Sequence, residues 1–172
     1  FSLSLNGVTV ELSSLGASIA RFLVPSADEG TDDIVLGYQS PRDMLLTKNP
    51  AYFGVIVGRV ANRIAKGSFE LQETGEMYVL ETNNMPNHLH GGSNGFSRRI
   101  WDAAIVDVDT GETQEAPGVS EYPEAPSCEG VMFSLLSEDG DQGYPGKVLV
   151  TATYSLQSSN DDGGCGVKLC LE

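Results

Sequence analysis

The sequence predicts an all-β protein, specifically a large antiparallel β-sandwich. Polar and apolar residues alternate with a period of two along many short segments, as they do in half-buried strands. Gly, Asn and Pro separate these segments at intervals of roughly 8–15 residues, a spacing typical of sandwiches and barrels. No stretch of about eleven residues has apolar side chains at the spacing of an amphipathic helix, so no long helix is expected.

The first predicted element is a β-hairpin. Leu3 and Leu5 alternate with serines, and Val8 and Val10 alternate with Thr and Glu further along. Asn6-Gly7 stands between the two runs, and this dipeptide is the strongest short-range hairpin signal.

The rest of the chain continues as short strands separated by loops. The predicted strands are 19–24, 34–36, 52–57, 69–71, 78–80, 101–108, 131–136, 148–156 and 167–171. Pro41 opens at most one helical turn in 40–47, and 83–95 form a loop rich in Asn and Gly. Residues 109–128 lack any apolar period and are expected to form a mobile acidic surface insertion. Because the chain starts at Phe1 and its last residues alternate like a strand, we expect 1–172 to be part of a longer domain.

The net charge of −14 disfavours two classes of partner. Residues 1–100 carry 8 basic and 10 acidic side chains, whereas 101–172 carry 2 and 14, a local net charge of −12. Such a surface repels nucleic acid and anionic membranes, although the acidic excess also serves solubility alone. No apolar run approaches the ~18–20 residues of a membrane helix. Three cysteines in neither a disulfide framework nor a CxxC pair indicate free thiols and a cytoplasmic location.

His88 and His90 are the only histidines and lie in Asn87-His88-Leu89-His90-Gly91-Gly92. If this segment is extended, both rings project to one face and can exchange protons near neutral pH. Two solvated imidazoles in a polar loop are the alternative. A metal site is not expected, because no third ligand follows within a few residues and no later histidine exists.

A basic segment, Gly58-Arg59-Val60-Ala61-Asn62-Arg63-Ile64, is the second candidate site. Asn62 and Arg63 side by side offer many hydrogen-bond donors, which suit polyhydroxylated or anionic ligands. Arg59 and Arg63 are equally well explained as surface charges that pair with the acidic excess. No glycine-rich turn leads into a helix, so a phosphate loop is not indicated.

Several segments along the chain together form a set of motifs. In order they are Asp33-Ile34-Val35-Leu36-Gly37-Tyr38, Phe53-Gly54, the basic segment extended through Ala65-Lys66-Gly67, the two-histidine segment, Gly95-Phe96 and Gly143-Tyr144-Pro145-Gly146. This set resembles the aldose 1-epimerases (galactose mutarotases) throughout 1–172 apart from the acidic insertion, which it identifies as the N-terminal part of the family. The resemblance implies a large antiparallel β-sandwich, a free hexose such as galactose or glucose as substrate, and no cofactor or metal.

The resemblance also implies roles for individual residues. It assigns Asn62 and Arg63 to binding sugar hydroxyls, and His90 to a hydrogen bond that binds the substrate and supports catalysis. His88 and Arg59 are expected to be structural. In the family the acid is a later His and the base a Glu far downstream, and this sequence contains neither motif; Glu172, at the end of an apparent strand, is not that base.

Two alternatives to an active epimerase stay open. The first is a non-catalytic carbohydrate-binding module or fragment, in which Trp101, Tyr52 or Phe96 stacks on the sugar. The second is an epimerase of sugar phosphates, which is disfavoured because Lys147 and Lys168 are the only basic residues after residue 100.

Overall fold

The structure, a computed structural model, describes residues 1–107, 109–115, 124–125, 129–158 and 165–171. Its strands in chain order are β1 (Ser2–Leu5), β2 (Val8–Ser13), β3 (Ser18–Pro25), β4 (Thr31–Asp33), β5 (Arg63–Ile64), β6 (Ser68–Leu71), β7 (Glu76–Val79), β8 (His88–Leu89), β9 (Asp102–Asp107), β10 (Thr113–Glu115), β11 (Glu124–Ala125), β12 (Glu129–Ser137), β13 (Val148–Ser158) and β14 (Cys165–Leu171). The α-helix α1 spans Pro41–Thr47. None of the helices within the described ranges is long and apolar enough to cross a membrane.

Two five-stranded sheets form the body of the fold. The first has the order β11-β1-β2-β3-β4 and the second the order β10-β9-β12-β13-β14. Among the described pairings, β1 with β11 is parallel and the others are antiparallel. The β1–β2 hairpin turns at Asn6 and Gly7, whose φ angles of 51° and 81° suit a two-residue hairpin turn. The predicted all-β class, its antiparallel sheets and this first hairpin are therefore confirmed.

The core lies where the inner faces of the two sheets meet. Val10 of the first sheet and Val131 and Phe133 of the second are fully buried in one apolar cluster. Tyr154 on β13 crosses this interface, and its hydroxyl donates a 2.6 Å hydrogen bond to the carbonyl of Ala17, just before β3. Burial raises the pKa of Tyr154 to about 12. The phenol therefore favours the fold only while it is protonated.

We expect stability to fall as the pH rises from about 10 to 12, because unfolded tyrosine titrates near pH 10 and unfolding then releases a proton. The shift of the Tyr154 pKa corresponds to a loss of about 2–3 kcal/mol over this window. Tyr154→Phe should lose about 1 kcal/mol at neutral pH with its hydrogen bond, and then decline less steeply. Some decline remains, because burial also raises the pKa of Tyr144 to about 12. Urea unfolding on both sides of pH 10 checks this, and equal slopes for the two proteins would contradict it.

Segment 52–57 was predicted as a buried strand, and this prediction is wrong. Tyr52 and Gly54 have φ angles of 57° and 68°, which no strand accommodates. The segment instead makes separate backbone hydrogen bonds to residues near the start of β3. Ile19 N–H donates to the Gly54 carbonyl, and Ile56 N–H donates to the Gly16 carbonyl. The apolar side chains of this segment pack against these neighbours, and its backbone does not form the hydrogen-bond ladder of a β-strand.

Residues 34–36 were predicted as a strand, and this prediction is wrong. The strand in this part of the chain is β4, which ends just before them at Asp33. The carboxylate of Asp33 accepts hydrogen bonds from the backbone N–H groups of Phe22 and Val35, and this ends the ladder with β3. Ile34 and Leu36 beyond it are exposed. The polar residues of β4 pair through their backbone, which an apolar pattern does not reveal.

The predicted acidic insertion at 109–128 lies partly outside the described residues. Its described parts include β10, which pairs with β9, and β11, which pairs with β1. These short pairings add one strand to the edge of each main sheet. The description of the whole insertion as a mobile surface segment stays a prediction.

Candidate active site

Two short strands bring the two candidate motifs together. β5 and β8 pair antiparallel, with Arg63 opposite Leu89 and Ile64 opposite His88. The pairing continues one residue further, because His90 N–H donates to the Asn62 carbonyl at 3.0 Å. Residues that are far apart in the sequence thus lie side by side on the structure.

The chain turns sharply directly after β8. His90, Gly91 and Gly92 have φ angles of 51°, 82° and 100°, all in the left-handed region. A Cβ atom at Gly91 would overlap the Gly58 carbonyl group and come within 2.6 Å of the Arg59 nitrogen. The close approach at this glycine is therefore made by backbone, and it packs the His90 turn directly onto the basic segment.

The His90 ring accepts a hydrogen bond from the protein. The backbone N–H of Asn62 donates to Nδ1 of His90 at 2.9 Å, so Nδ1 is unprotonated and the neutral ring carries its proton on Nε2. Burial, followed by the charge of Arg63, lowers the pKa of His90 below its usual value. The imidazole is consequently neutral at pH 7 and offers Nε2–H as a donor. Within the described part of the chain, no residue accepts that hydrogen.

Arg63 lies exposed beside this ring, and two amide oxygens orient its guanidinium. Nε donates to Oδ1 of Asn84 at 3.0 Å, and Nη1 donates to Oδ1 of Asn62 at 3.3 Å. These contacts leave Nη2 without a hydrogen-bond partner among the described residues. The guanidinium therefore keeps donors for a ligand while the two amides fix its plane.

The asparagine-rich loop before β8 contributes residues to which the sequence analysis gave no role. Asn84 holds Arg63, and the side chain of Asn83 accepts from the N–H of Leu89 and donates to its carbonyl. A single amide side chain thus makes both of the hydrogen bonds that a neighbouring strand would otherwise make to the Leu89 backbone. The only available signal was the run of asparagines, which reads equally well as a polar loop.

The two histidines do not share an environment. His88 is fully buried; its Nδ1 lies 2.7 Å from the Glu81 carbonyl, and its ring contacts Tyr144 with centroids 5.5 Å apart. His90 contacts Tyr52 instead, at 4.6 Å. The condition under which both rings would project to one face, an extended segment, is not met, because the left-handed backbone at His90 ends the extended segment. The position of His88 agrees with the structural role expected for it.

Arg59 connects separate parts of the backbone. Its Nε donates to the Ser137 hydroxyl, Nη2 to the carbonyls of Ser137 and Glu138, and Nη1 to those of Pro145 and Gly146. These contacts use all three guanidinium nitrogens. The arrangement matches the expected scaffold role and leaves no donor for a ligand.

Two of the three aromatic residues considered for sugar stacking are unavailable. Trp101 is 2% exposed and Phe96 is 5% exposed, and their rings pack against each other in the core. Trp101 also donates its indole N–H to the Phe96 carbonyl. The stacking predicted for these two residues is therefore wrong, and only Tyr52 lies beside the candidate site.

Asn62, Arg63 and His90 form an open surface cluster. A separate small pocket lies between β3 and α1, and its walls include Met44 and Phe53 but none of those three residues. Over the described ranges, no group of three His, Cys, Asp or Glu side chains has the arrangement of a metal site.

Comparison with known proteins identifies the family. The model of the aldose 1-epimerase family matches residues 1–163. The chain belongs to the aldose 1-epimerase family. It is 37% identical over 164 residues to galactose mutarotase of Sus scrofa, covering 95% of this chain and 39% of the relative. Aldose 1-epimerase of Escherichia coli is 32% identical over 154 residues, covering 90% of this chain and 38% of the relative.

Solved structures of epimerases share the fold. The GalM/aldose epimerase homologue from C. elegans matches with a TM-score of 0.70 at 29% identity, over 90% of this chain and 41% of that one. Galactose 1-epimerase from Lactobacillus acidophilus matches with a TM-score of 0.66 at 25% identity, over 89% and 38%. This epimerase-family chain therefore spans about two fifths of the length of the relatives that it matches.

Proposed function

We propose that this chain carries the hexose-binding residues Asn62, Arg63 and His90 of an aldose 1-epimerase, which interconverts α and β anomers of free hexoses such as galactose and glucose. One observation carries the proposal: the Asn62 N–H donates to Nδ1 of His90, with Arg63 held beside both residues. These contacts leave two donors without a partner among the described residues, Nη2 of Arg63 and Nε2–H of His90. Paired donors of this kind suit adjacent sugar hydroxyls. Family membership supplies the reaction.

The reaction needs a base, an acid and donors for the sugar oxygens. A base removes the proton of the anomeric hydroxyl, the bond between C1 and the ring oxygen breaks, and an acid protonates that oxygen. Rotation about C1–C2 and reversal of these steps give the other anomer. Donors held in place stabilise the negative charge that builds on oxygen, and we assign this role to Arg63 and His90. Neither residue is assigned a proton transfer.

The test removes each donor and measures sugar binding and turnover. His90→Ala and Arg63→Ala should each weaken galactose binding, followed by NMR titration, and slow mutarotation at least about tenfold. Polarimetry of freshly dissolved α-galactose, with the protein that carries this chain, gives the rate. Arg21→Ala is the matched control, because Arg21 is also an exposed strand arginine and has only a 3.9 Å ion pair with Glu11. Unchanged binding and rate in both variants would remove the site assignment.

Binding without turnover would instead favour the carbohydrate-binding module.

A monosaccharide is the only partner that we propose, and the acidic chain disfavours nucleic acid and anionic membranes. We also propose a cytoplasmic location, which rests on three cysteines without a disulfide framework.

A further inference from the structure

The ring of Tyr52 lies directly against the imidazole of His90. The ring centroids are 4.6 Å apart and the ring planes are inclined at 60°. Both side chains are half-buried. Within the described ranges, this is the aromatic ring that contacts His90, so Tyr52 is the residue best placed to restrict how the imidazole rotates.

The backbone that carries Tyr52 is held in an unusual conformation. Its φ angle is 57°, which is uncommon for a bulky residue and persists only where neighbouring contacts enforce it. Tyr52 N–H donates to the carbonyl of Asn49. The buried side chain of Asn49 then accepts from the N–H of Phe53 and donates to its carbonyl, at 2.9 and 3.0 Å. Asn49 thus fixes the backbone at Tyr52 and at Phe53, the residue that follows it.

The imidazole needs a second constraint. One hydrogen bond, from Asn62 N–H to Nδ1, holds the His90 ring, and because the Cβ–Cγ torsion of histidine has broad minima, this bond alone still permits a range of ring tilts. The Tyr52 ring closes one side of that range of motion. Aromatic pairs in this geometry contribute stabilisation beyond burial alone.

We propose that Tyr52 is a positioning residue: its ring holds the His90 imidazole so that Nδ1 stays on the Asn62 N–H and Nε2–H faces the bound hexose. The sugar-binding part of this inference rests on the proposed function. The orientation of the imidazole does not, because it can be measured without a sugar.

Charge around the imidazole sets what the measurement should show. Among the described residues, Arg63 is the charged group that acts on His90, and the phenol of Tyr52 is the titratable group packed against it. Burial is the larger cause of the lowered His90 pKa, and the guanidinium is the second. Removing the Tyr52 ring lets water reach the imidazole, so the pKa of His90 should move up towards its ordinary value.

The experiment is ¹⁵N NMR of the histidine rings over a pH titration, without and with galactose. The protein that carries this chain is used; His88 and His90 are the two histidines of these 172 residues, and the buried His88 reports on folding. The variants are Tyr52→Ala, Tyr52→Leu, which keeps apolar bulk if the alanine variant does not fold, and Tyr52→Phe, which keeps the ring. Tyr52→Ala and Tyr52→Leu should mix the two His90 tautomers, raise its pKa and weaken galactose binding about three- to tenfold. Tyr52→Phe should keep the single His90 tautomer and the lowered His90 pKa. Its galactose affinity should stay within about twofold of that of the unsubstituted protein.

The outcomes separate the two proposals. Unchanged tautomer and pKa of His90 in Tyr52→Leu, with normal His88 signals, would overturn the positioning role. A change in the His90 ring without galactose binding by the parent chain would support the positioning role and count against the proposed function. Loss of the Asn62-bound tautomer in Tyr52→Phe as well would also overturn the inference, because the ring alone would then not position the imidazole.

Discussion

Replacing Gly91 with Ala should destabilise the chain by about 4 kcal/mol or more and abolish hexose binding. The φ angle of Gly91 is 82°, and a side chain in that conformation costs about 1–2 kcal/mol by itself. The larger cost arises because the new methyl group would overlap the Gly58 carbonyl group, which is backbone and cannot rotate away. Gly58 and His90 would then be forced apart. The hydrogen bond from Asn62 N–H to His90 would break as a result. Urea unfolding and a galactose titration measure the two effects.

Gly111→Ala separates the two causes. The φ angle of Gly111 is 74°, and nothing lies within 4 Å of where its Cβ would stand. This variant should lose only about 1–2 kcal/mol and bind galactose normally. Similar losses at the two glycines would contradict the close approach of Gly91 to Gly58.

The sequence allowed prediction of those parts of the fold that local chemistry determines. The Asn6-Gly7 turn and the long alternating strands β12 and β13 were predictable, because a period of two and a left-handed turn residue have direct structural meaning. Segment 52–57 was not, since an apolar run does not reveal positive φ angles at Tyr52 and Gly54. Those angles depend on the hydrogen bonds of the Asn49 side chain to the Phe53 backbone four residues away, and on the bond from Ile19 N–H, in a distant part of the chain, to the Gly54 carbonyl.

The candidate site shows the same limit. The resemblance selected Asn62, Arg63 and His90, but their proximity depends on β5 and β8, each only two residues long. Strands this short have no detectable period, so their pairing is set by the surrounding structure. Whether the two histidines share a face was not predictable either, because the sequence does not reveal the left-handed backbone at His90 that ends the extended segment. Tyr52 belongs to none of the family motifs. Its positioning role is inferred only from its ring contact with His90.

Replacing Arg59 with Ala should cost about 3 kcal/mol or more in the free energy of unfolding. The substitution removes four hydrogen bonds that join the start of the basic segment to backbone carbonyls at 137–138 and at 145–146, and a fifth to the Ser137 hydroxyl. The same loop carries Tyr144, whose ring packs on His88, so its release should also loosen β8. Galactose binding should therefore weaken, although Arg59 has no donor left for the sugar.

Two further variants show whether the forked shape of the guanidinium is responsible. Arg59→Lys keeps the charge, but a single ammonium group cannot reach both backbone segments, so it should recover less than half of the loss. Arg21→Ala removes an exposed arginine with one 3.9 Å ion pair and should change the free energy of unfolding by about 0.5 kcal/mol at most. Urea unfolding of the three variants distinguishes these cases. If Arg59→Ala behaved like Arg21→Ala, the five contacts would contribute nothing measurable, and the basic segment would have to be held by the packing at Gly91 and by its pairing with β8.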